Sequence, residues 1–311
     1  MNRNQFIRNS ALSTWGILIL SKPDGLFNMI DPDHSGVKTE TAGELNAFLR
    51  SLVDVEEPSV DRIVIGNPST KIRKIGTCWL ARWETLQKAV QQDVNVMVVH
   101  EPTFYTHWDL DDLTQDFYRA PDPARSQYVE LVEKKKKWIL EQGMVIIRCH
   151  DVLDKMGEIG IPFALGAALG FHEKDIQTRA AYYNVYKIKP TRADEVARNI
   201  AHKLEPLNQP GVAFYGDKNR MVSTVGVGTG CICDPMHFAH LNPDMYIAIS
   251  DIVRTWIQTS FAEDSGKPLV VIDHGTAEES GMQLLSELLQ KRIPGYKTVH
   301  FPQGCTYQWI S

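Results

Sequence analysis

The chain has 311 residues, of which 43% are hydrophobic, so it can bury a substantial core, and we expect two lobes. The formal charge of -5 and the isoelectric point near 6.1 argue against a nucleic-acid partner, because phosphate backbones are bound by a concentrated basic face. Five scattered cysteines are too few for a disulfide framework.

Residues 1–36 have the composition of an export leader followed by a linker. Arg3 and Phe6 fit a twin-arginine-like signal, and an apolar run at 10–20 follows, although Asn4 stands where the second arginine belongs. The apolar run is too short for an ordinary membrane span. We therefore expect export through a degenerate twin-arginine-like signal, with a cytoplasmic protein as the alternative, and no stable membrane span.

Strand and helix signals alternate through the rest of the chain. Apolar residues at helical spacing predict helices, and short β-branched runs predict buried strands. Apolar strands separated by helices are typical of parallel βα units, so the predicted fold class is α/β. The main predicted helices lie at 39–53, 83–92, 121–142, 192–204 and 280–291, and the main predicted strands at 62–66, 75–80, 96–99, 144–148, 182–189, 222–227, 245–250, 269–272 and 298–301.

Potential metal ligands directly follow the strand predicted at 96–99. This strand is apolar and Pro102 forbids its continuation, so His100 and Glu101 lie at its carboxyl end, with His107 shortly after. In open α/β sheets, ligands bind at this end of the strands. An imidazole and a carboxylate at this place suggest a metal site, and a polar turn without metal is the alternative.

Three later strands also end in polar residues that could bind a metal. Because the carboxyl ends of parallel strands lie on one side of a sheet, this repetition indicates one shared site. The residues are His150, Asp151 and Asp154 after the strand at 144–148, Asp251 after that at 245–250, and His274 with Glu278 after that at 269–272.

The spacing of His274 and Glu278 gives this last pair a defined geometry. Glu278 lies four residues after His274, so both side chains face the same direction if a helix opens between them. A carboxylate at the amino end of a helix also gains from the helix dipole. The spacing therefore favours a metal-binding pair, and a capping or core histidine is the alternative for His274.

The motifs at these strand ends, taken together, resemble one protein family. They are VVHEP at 98–102, HDVLD at 150–154, GTG at 228–230 and DHGTAEE at 273–279, and their order and spacing agree from about residue 37 to the carboxyl terminus. This combination is similar to the Nif-three-like dinuclear metal centre proteins, which are also called GTP cyclohydrolase 1 type 2 homologues.

The resemblance implies two divalent metal ions, either Fe, Mn or Zn. In that family the first motif has two histidines, the second ends in a ligand aspartate, and the last supplies a histidine and a glutamate. Glu101 stands where the second histidine belongs, and this harder, anionic ligand favours iron or manganese over zinc. If Glu101 binds weakly, His107 is the alternative ligand. Matched by motif, the other implied ligands are His100, Asp154, His274 and Glu278.

The same resemblance implies the architecture and the assembly. It implies two similar α/β lobes with mainly parallel sheets, a metal site in the cleft between them, and a toroidal homo-hexamer. We assign residues 37–165 to the first lobe, with 270–311 completing it, and residues 166–269 to a compact second lobe.

A pair of metal ions implies hydrolysis of a small-molecule substrate, with a bridging metal-bound water as the nucleophile. His150 or Asp151, beside Asp154, is a candidate general acid or an orienting partner, and Asp251 has a similar status. A nucleotide substrate is implied only by the family's name.

Two rival functions remain open at this point. The first is a non-catalytic assembly or regulatory protein, in which the metal ions tie subunits or lobes together. The second is a single-metal amidase or esterase that uses His100, Glu101 and His274, which would leave Asp154 without a role. A serine hydrolase is disfavoured, because the sequence contains no GxSxG motif.

Overall fold

The computed structural model describes most of the chain beyond the predicted leader. Residues 1–35, all but the last residue of the leader and linker predicted at 1–36, lie outside the described residues. No helix in the described part of the chain is long and apolar enough to cross a membrane. The described residues are 36–111, 123–157, 159–180, 182–230, 234–253 and 255–310.

Helices and strands alternate along the described chain, as the hydrophobic periodicity predicts. The helices are α1 Ala42–Arg50, α2 Trp83–Gln91, α3 Ala124–Glu141, α4 Asp151–Lys155, α5 Ile161–Ala168, α6 Ala193–Leu204, α7 Trp256–Asp264 and α8 His274–Arg292. The strands are β1 Arg62–Ile65, β2 Ile75–Cys78, β3 Val96–Val99, β4 Val145–Arg148, β5 Ile176–Ala180, β6 Tyr183–Arg192, β7 Ala213–Tyr215, β8 Met221–Gly228, β9 Met245–Ile249, β10 Leu269–Ile272 and β11 Thr298–His300.

The first sheet has the strand order β1-β4-β3-β2-β11, and all its neighbouring strands are parallel except the antiparallel pair β1 and β4. Successive residues of β3 face opposite sides of the sheet. Val96 and Val98 pack in one core with α1 and α8, and Met97 and Val99 pack in another with α2 and α3. Burial on both faces explains why this strand is apolar throughout rather than alternating.

The second sheet has the order β5-β6-β8-β9-β10-β7 and is mixed. Its parallel part is β8-β9-β10, whereas β5 and β6, β6 and β8, and β10 and β7 pair antiparallel. The expected predominance of parallel pairs therefore holds for the first sheet. In the second sheet, β5 and β6 are joined by a link too short for a parallel crossover, so they pair as a hairpin. The predicted α/β fold class with two lobes is confirmed.

Helix α8 connects the two sheets. It begins directly after β10 of the second sheet, yet it packs against β2 and β11 of the first sheet and against α5. Asp273 caps it, accepting a hydrogen bond from the Thr276 backbone N–H at 3.2 Å. The amino end of α8 therefore lies near the carboxyl ends of the first sheet's strands. The lobe boundaries at residues 165 and 270 stay predictions.

Candidate metal centre

Three segments bring side chains to one place between the sheets. His100 and Glu101 directly follow β3, and Asp154 lies in the short helix α4 that follows β4. His274 and Glu278 occupy the first turns of α8. Pro102 cannot continue the strand, and β3 ends at Val99, so His100 and Glu101 stand at the start of the loop that follows it.

Glu278 lies between two imidazoles. One of its carboxylate oxygens, Oε2, is 3.3 Å from His100 Nε2, and the other, Oε1, is 3.0 Å from His274 Nε2. His100 Nε2 is also 3.6 Å from Asp154 Oδ1, and His274 Nε2 is 3.1 Å from Glu101 Oε1. All five side chains are thus joined by a continuous chain of short contacts.

Several atoms in this cluster have the unmet bonding capacity that a metal ion would satisfy. The Nε2 atoms of His100 and His274 and Oδ1 of Asp154 are buried, and none makes a hydrogen bond of acceptable geometry among the described residues. Such buried polar atoms are costly unless a partner is present. Nitrogen and carboxylate donors together suit zinc, iron or manganese, so the side chains fit a divalent metal.

Two sets of three side chains have ligand atoms that all lie within 4.8 Å of one another in the described part of the chain. His100 belongs to both sets, but its single Nε2 lone pair can bind only one ion, so the two sets are alternatives for this histidine. The first set is His100, His150 and Asp154, and the second is His100, Glu101 and Glu278.

The surroundings of His100 leave the lone pair of its Nε2 available to a metal ion. Its Nδ1 lies 3.2 Å from the Cys149 carbonyl oxygen, which accepts the Nδ1 proton in the neutral ring. Burial lowers the pKa of His100 to about 4, and the charge of Glu278 offsets this only in part. The ring is therefore neutral near pH 7, as a metal ligand must be.

The acidic groups and His274 shift one another's pKa values. Burial lowers the pKa of His274, but the charges of Glu278 and Glu101 outweigh burial and raise it to about 11. Burial raises the pKa of Glu101 and Glu278, but contacts with His274 outweigh it and hold both below the ordinary value. Burial and the charge of Glu278 raise the pKa of Asp154. Without metal, the cluster therefore holds protons that a cation would replace.

His150 and Asp151, predicted as acid or orienting partners, lie at the edge of this cluster. The His150 ring stacks on the His100 ring with centroids 4.5 Å apart, and its Nδ1 is 2.8 Å from Asp151 Oδ1. The Ser59 hydroxyl donates to the other Asp151 oxygen at 2.8 Å. Burial lowers the pKa of His150, but Asp154 and Asp151 outweigh burial and raise it to about 9.

His107 and Asp251 belong to neither set of candidate ligands found in the described residues. The His107 ring meets the edge of the His150 ring with centroids 6.2 Å apart, so it lines the same region. Asp251 lies in the turn after β9. The structure therefore does not bring these two predicted residues into the ligand sets.

Two supporting residues were not predicted from the sequence. Trp79, just after β2, donates from its indole Nε1 to Glu278 Oε2 at 2.8 Å. Asp61 accepts hydrogen bonds from the backbone N–H groups of His150 and of Val152, the latter at 2.8 Å. Trp79 directly follows β2, which ends at Cys78, whereas the predicted strand at 75–80 included it, so the sequence did not mark it as a strand-end residue. Asp61 precedes its strand, and no sequence signal marks it.

The architecture and these motifs agree with one family model. The Duf34/NIF3 (NGG1p interacting factor 3) model matches residues 59–303, which is most of the chain and includes the whole cluster. The chain belongs to the Duf34/NIF3 family. The resemblance to Nif-three-like proteins is thereby confirmed.

Curated and solved relatives are distant in sequence. This Duf34/NIF3 chain is 23% identical over 233 residues to a GTP cyclohydrolase 1 type 2 homolog of Chlamydia pneumoniae, a match that covers 74% of this chain and 84% of the relative. Its fold resembles the Staphylococcus aureus hypothetical protein SA1388, with a TM-score of 0.67 at 15% identity, covering 88% of this chain and 100% of that one. A Bacillus cereus protein related to NIF3 gives 0.66 at 13% identity, with coverages of 88% and 100%.

Proposed function

We propose that this Duf34/NIF3 chain is a metal-dependent hydrolase of a small-molecule substrate. The observation that carries the proposal is the position of Glu278, whose two oxygens lie 3.3 Å and 3.0 Å from the Nε2 atoms of His100 and His274. A carboxylate so placed can serve two cations at once. The proposed ligands of two divalent ions are His100, Glu101, Asp154, His274 and Glu278.

The chain's own residues prepare this site for hydrolysis. Divalent ions held here would supply Lewis-acid activation of a water molecule near neutral pH. Trp79 fixes the Glu278 carboxylate through its indole N–H at 2.8 Å. His150 is partly exposed, and Asp151 orients it, so it is placed to hold and deliver a proton to a leaving group.

The donor set and the relatives suggest the metal and the substrate. Three carboxylates and two imidazoles make the site rich in oxygen, which supports iron or manganese over zinc. The relative from Chlamydia pneumoniae is named for GTP cyclohydrolase, so nucleotides are the first compounds to test. We include assembly as a homo-hexamer and export by the leader in the proposal.

Metal analysis of variants, combined with a hydrolysis screen, tests the proposal. The wild type should retain about two ions per chain and turn over a phosphoester, an amide or a nucleotide. Asp154→Ala should lose metal. His150→Gln should keep metal and lose turnover by about 100-fold or more, as removal of a general acid does. Asp264→Ala, an exposed aspartate at the end of α7, is the matched control and should behave as wild type.

Each contrary result has a definite meaning. Unchanged metal content in Asp154→Ala would remove Asp154 from the ligand set. Loss of metal in His150→Gln would make His150 a ligand rather than a proton donor. Full metal content without turnover of any of the three compound classes would favour the assembly protein.

A further inference from the structure

Arg148, the last residue of β4, places a buried positive charge beside the candidate metal centre. Its side chain is 0% exposed, although a guanidinium remains charged in proteins. A buried charge is costly unless hydrogen bonds and opposite charges compensate it. The partners of Arg148 therefore indicate what this side chain does.

Two of its nitrogens are held by the loop that follows β3. Nε donates to the His100 carbonyl oxygen at 3.0 Å, and Nη1 donates to the His107 carbonyl oxygen. Nη1 also lies 3.6 Å from Asp109 Oδ2. These contacts fix the plane of the guanidinium and thus the direction of its third nitrogen.

The third nitrogen, Nη2, points toward Glu101. It is buried and makes no hydrogen bond among the described residues, and it lies 3.8 Å from Glu101 Oε2. The other Glu101 oxygen, Oε1, is 3.1 Å from His274 Nε2. The Glu101 carboxylate thus lies between Arg148 on one side and the candidate metal ligands on the other.

We propose that Arg148 is a positioning residue that holds the Glu101 carboxylate toward the metal ions and offsets its charge. The inference rests on the proposed function, because it assumes that Glu101 binds a metal. Glu101 adds a negative charge beside Glu278, since a carboxylate oxygen of each lies within 3.1 Å of the same His274 Nε2. Like charges at such distances repel, and a fixed guanidinium reduces that repulsion. A histidine at position 101 would need no such cation.

This role can be distinguished by measurement from a purely structural one, in which Arg148 only holds the loop that follows β3. If Arg148 only holds the carbonyl groups of His100 and His107, its replacement should weaken metal binding by the same factor whichever residue occupies position 101. If it positions and neutralises Glu101, its loss should matter much less when a histidine replaces Glu101. A double-mutant cycle measures this coupling directly.

The experiment is a titration of the full-length apo-protein with Mn²⁺ against a competing chelator. The proteins are wild type, Arg148→Met, Glu101→His and the double variant. Arg148→Met should weaken Mn²⁺ binding by about 10–100-fold, as loss of groups that orient metal ligands does. In the Glu101→His background, Arg148→Met should weaken Mn²⁺ binding only a few-fold. Arg62→Met, which removes a donor to the nearby Trp108 carbonyl at 2.6 Å, is the matched control and should bind as wild type.

Arg148→Lys is a second, more conservative variant, which keeps the test informative if Arg148→Met does not fold. Lysine keeps the charge but lacks the rigid fork that reaches the His100 carbonyl and Glu101 together, so we expect a weakening between those of wild type and Arg148→Met. Equal costs of losing Arg148 in both backgrounds, or wild-type affinity in Arg148→Met and Arg148→Lys, would overturn the inference. Failure of the wild type to bind Mn²⁺, Fe²⁺ or Zn²⁺ would instead overturn the proposed function.

Discussion

His100 and His274 both offer Nε2 to the cluster, and burial lowers the pKa of both, yet the two pKa values shift in opposite directions. His100 is wholly buried, and desolvation dominates, so its pKa falls to about 4. His274 contacts Glu101 and Glu278 at 3.1 Å and 3.0 Å, and those charges outweigh burial. Of these two histidines, the metal-free protein therefore protonates His274, whose two carboxylate contacts are shorter than those of His100, at 3.3 Å and 3.6 Å.

Metal affinity should rise with pH as a result. The pKa of His274 is raised to about 11, and that of Asp154 is also raised, so the metal-free protein holds protons at neutral pH that metal binding must release. Because the free form binds more protons than the metal-bound form, each step up in pH favours binding. Calorimetric titration with Mn²⁺ in two buffers of different ionisation enthalpy counts the released protons. Identical heats in both buffers would contradict this account.

The amino end of α8 is the element that sets the spacing of His274 and Glu278. Its cap, Asp273, also accepts a hydrogen bond from the Thr306 backbone N–H at 2.9 Å, which ties the start of the helix to the carboxyl-terminal segment. Gly275 lets the helix approach this segment closely. A Cβ there would lie 2.9 Å from the Gly304 carbonyl oxygen and 3.0 Å from Trp79 Cε3.

Gly275→Ala should therefore disturb both stability and metal binding. The Gly304 carbonyl belongs to the backbone and Trp79 holds Glu278, so the helix must shift, at a cost of about 1–3 kcal/mol in the free energy of unfolding. Metal affinity should fall with it. Gly295→Ala is the control, because no atom lies within 4 Å of a Cβ at that position. Denaturant unfolding and Mn²⁺ titration measure both effects, and equal behaviour of the two variants would refute this packing explanation.

At the scale of the molecule, the cluster joins the two sheets. His100 and Glu101 follow a strand of the first sheet, whereas His274 and Glu278 follow β10 of the second sheet. Ions bound by both segments would stabilise the connection between the lobes. They would also relieve the repulsion among carboxylates that burial brings together.

Removal of metal should consequently lower the unfolding temperature. A ligand that binds only the folded state adds about 2.7 kcal/mol when its concentration is 100 times its dissociation constant. Thermal unfolding of the wild type with excess Mn²⁺ and with a chelator should differ by several degrees. Asp154→Ala should show a much smaller difference, and Asp264→Ala the full one. If the wild type unfolds at the same temperature with chelator as with excess Mn²⁺, the metal centre does not stabilise the fold.

Local signals in the sequence were enough for most helices and strands, the α/β class and the family, although β5, β7 and the short helix α4 were not predicted. The apolar run 96–99, for example, is recognisable as a buried strand because both faces of β3 are covered. Ligand types at strand ends identified the cluster's main members, and short motifs identified the family, now confirmed by the match over 59–303. The Glu101 departure was also visible in the sequence alone.

Only the tertiary structure decided how distant residues meet. Trp79 and Glu278 are 199 positions apart, and their hydrogen bond depends on how α8 crosses from one sheet to the other. The contact of Arg148 with Glu101, the stacking of His150 on His100 and the antiparallel pairs of the second sheet arise in the same way. Periodicity reports which face of an element is buried, but contacts between elements are set by the packing of the whole chain.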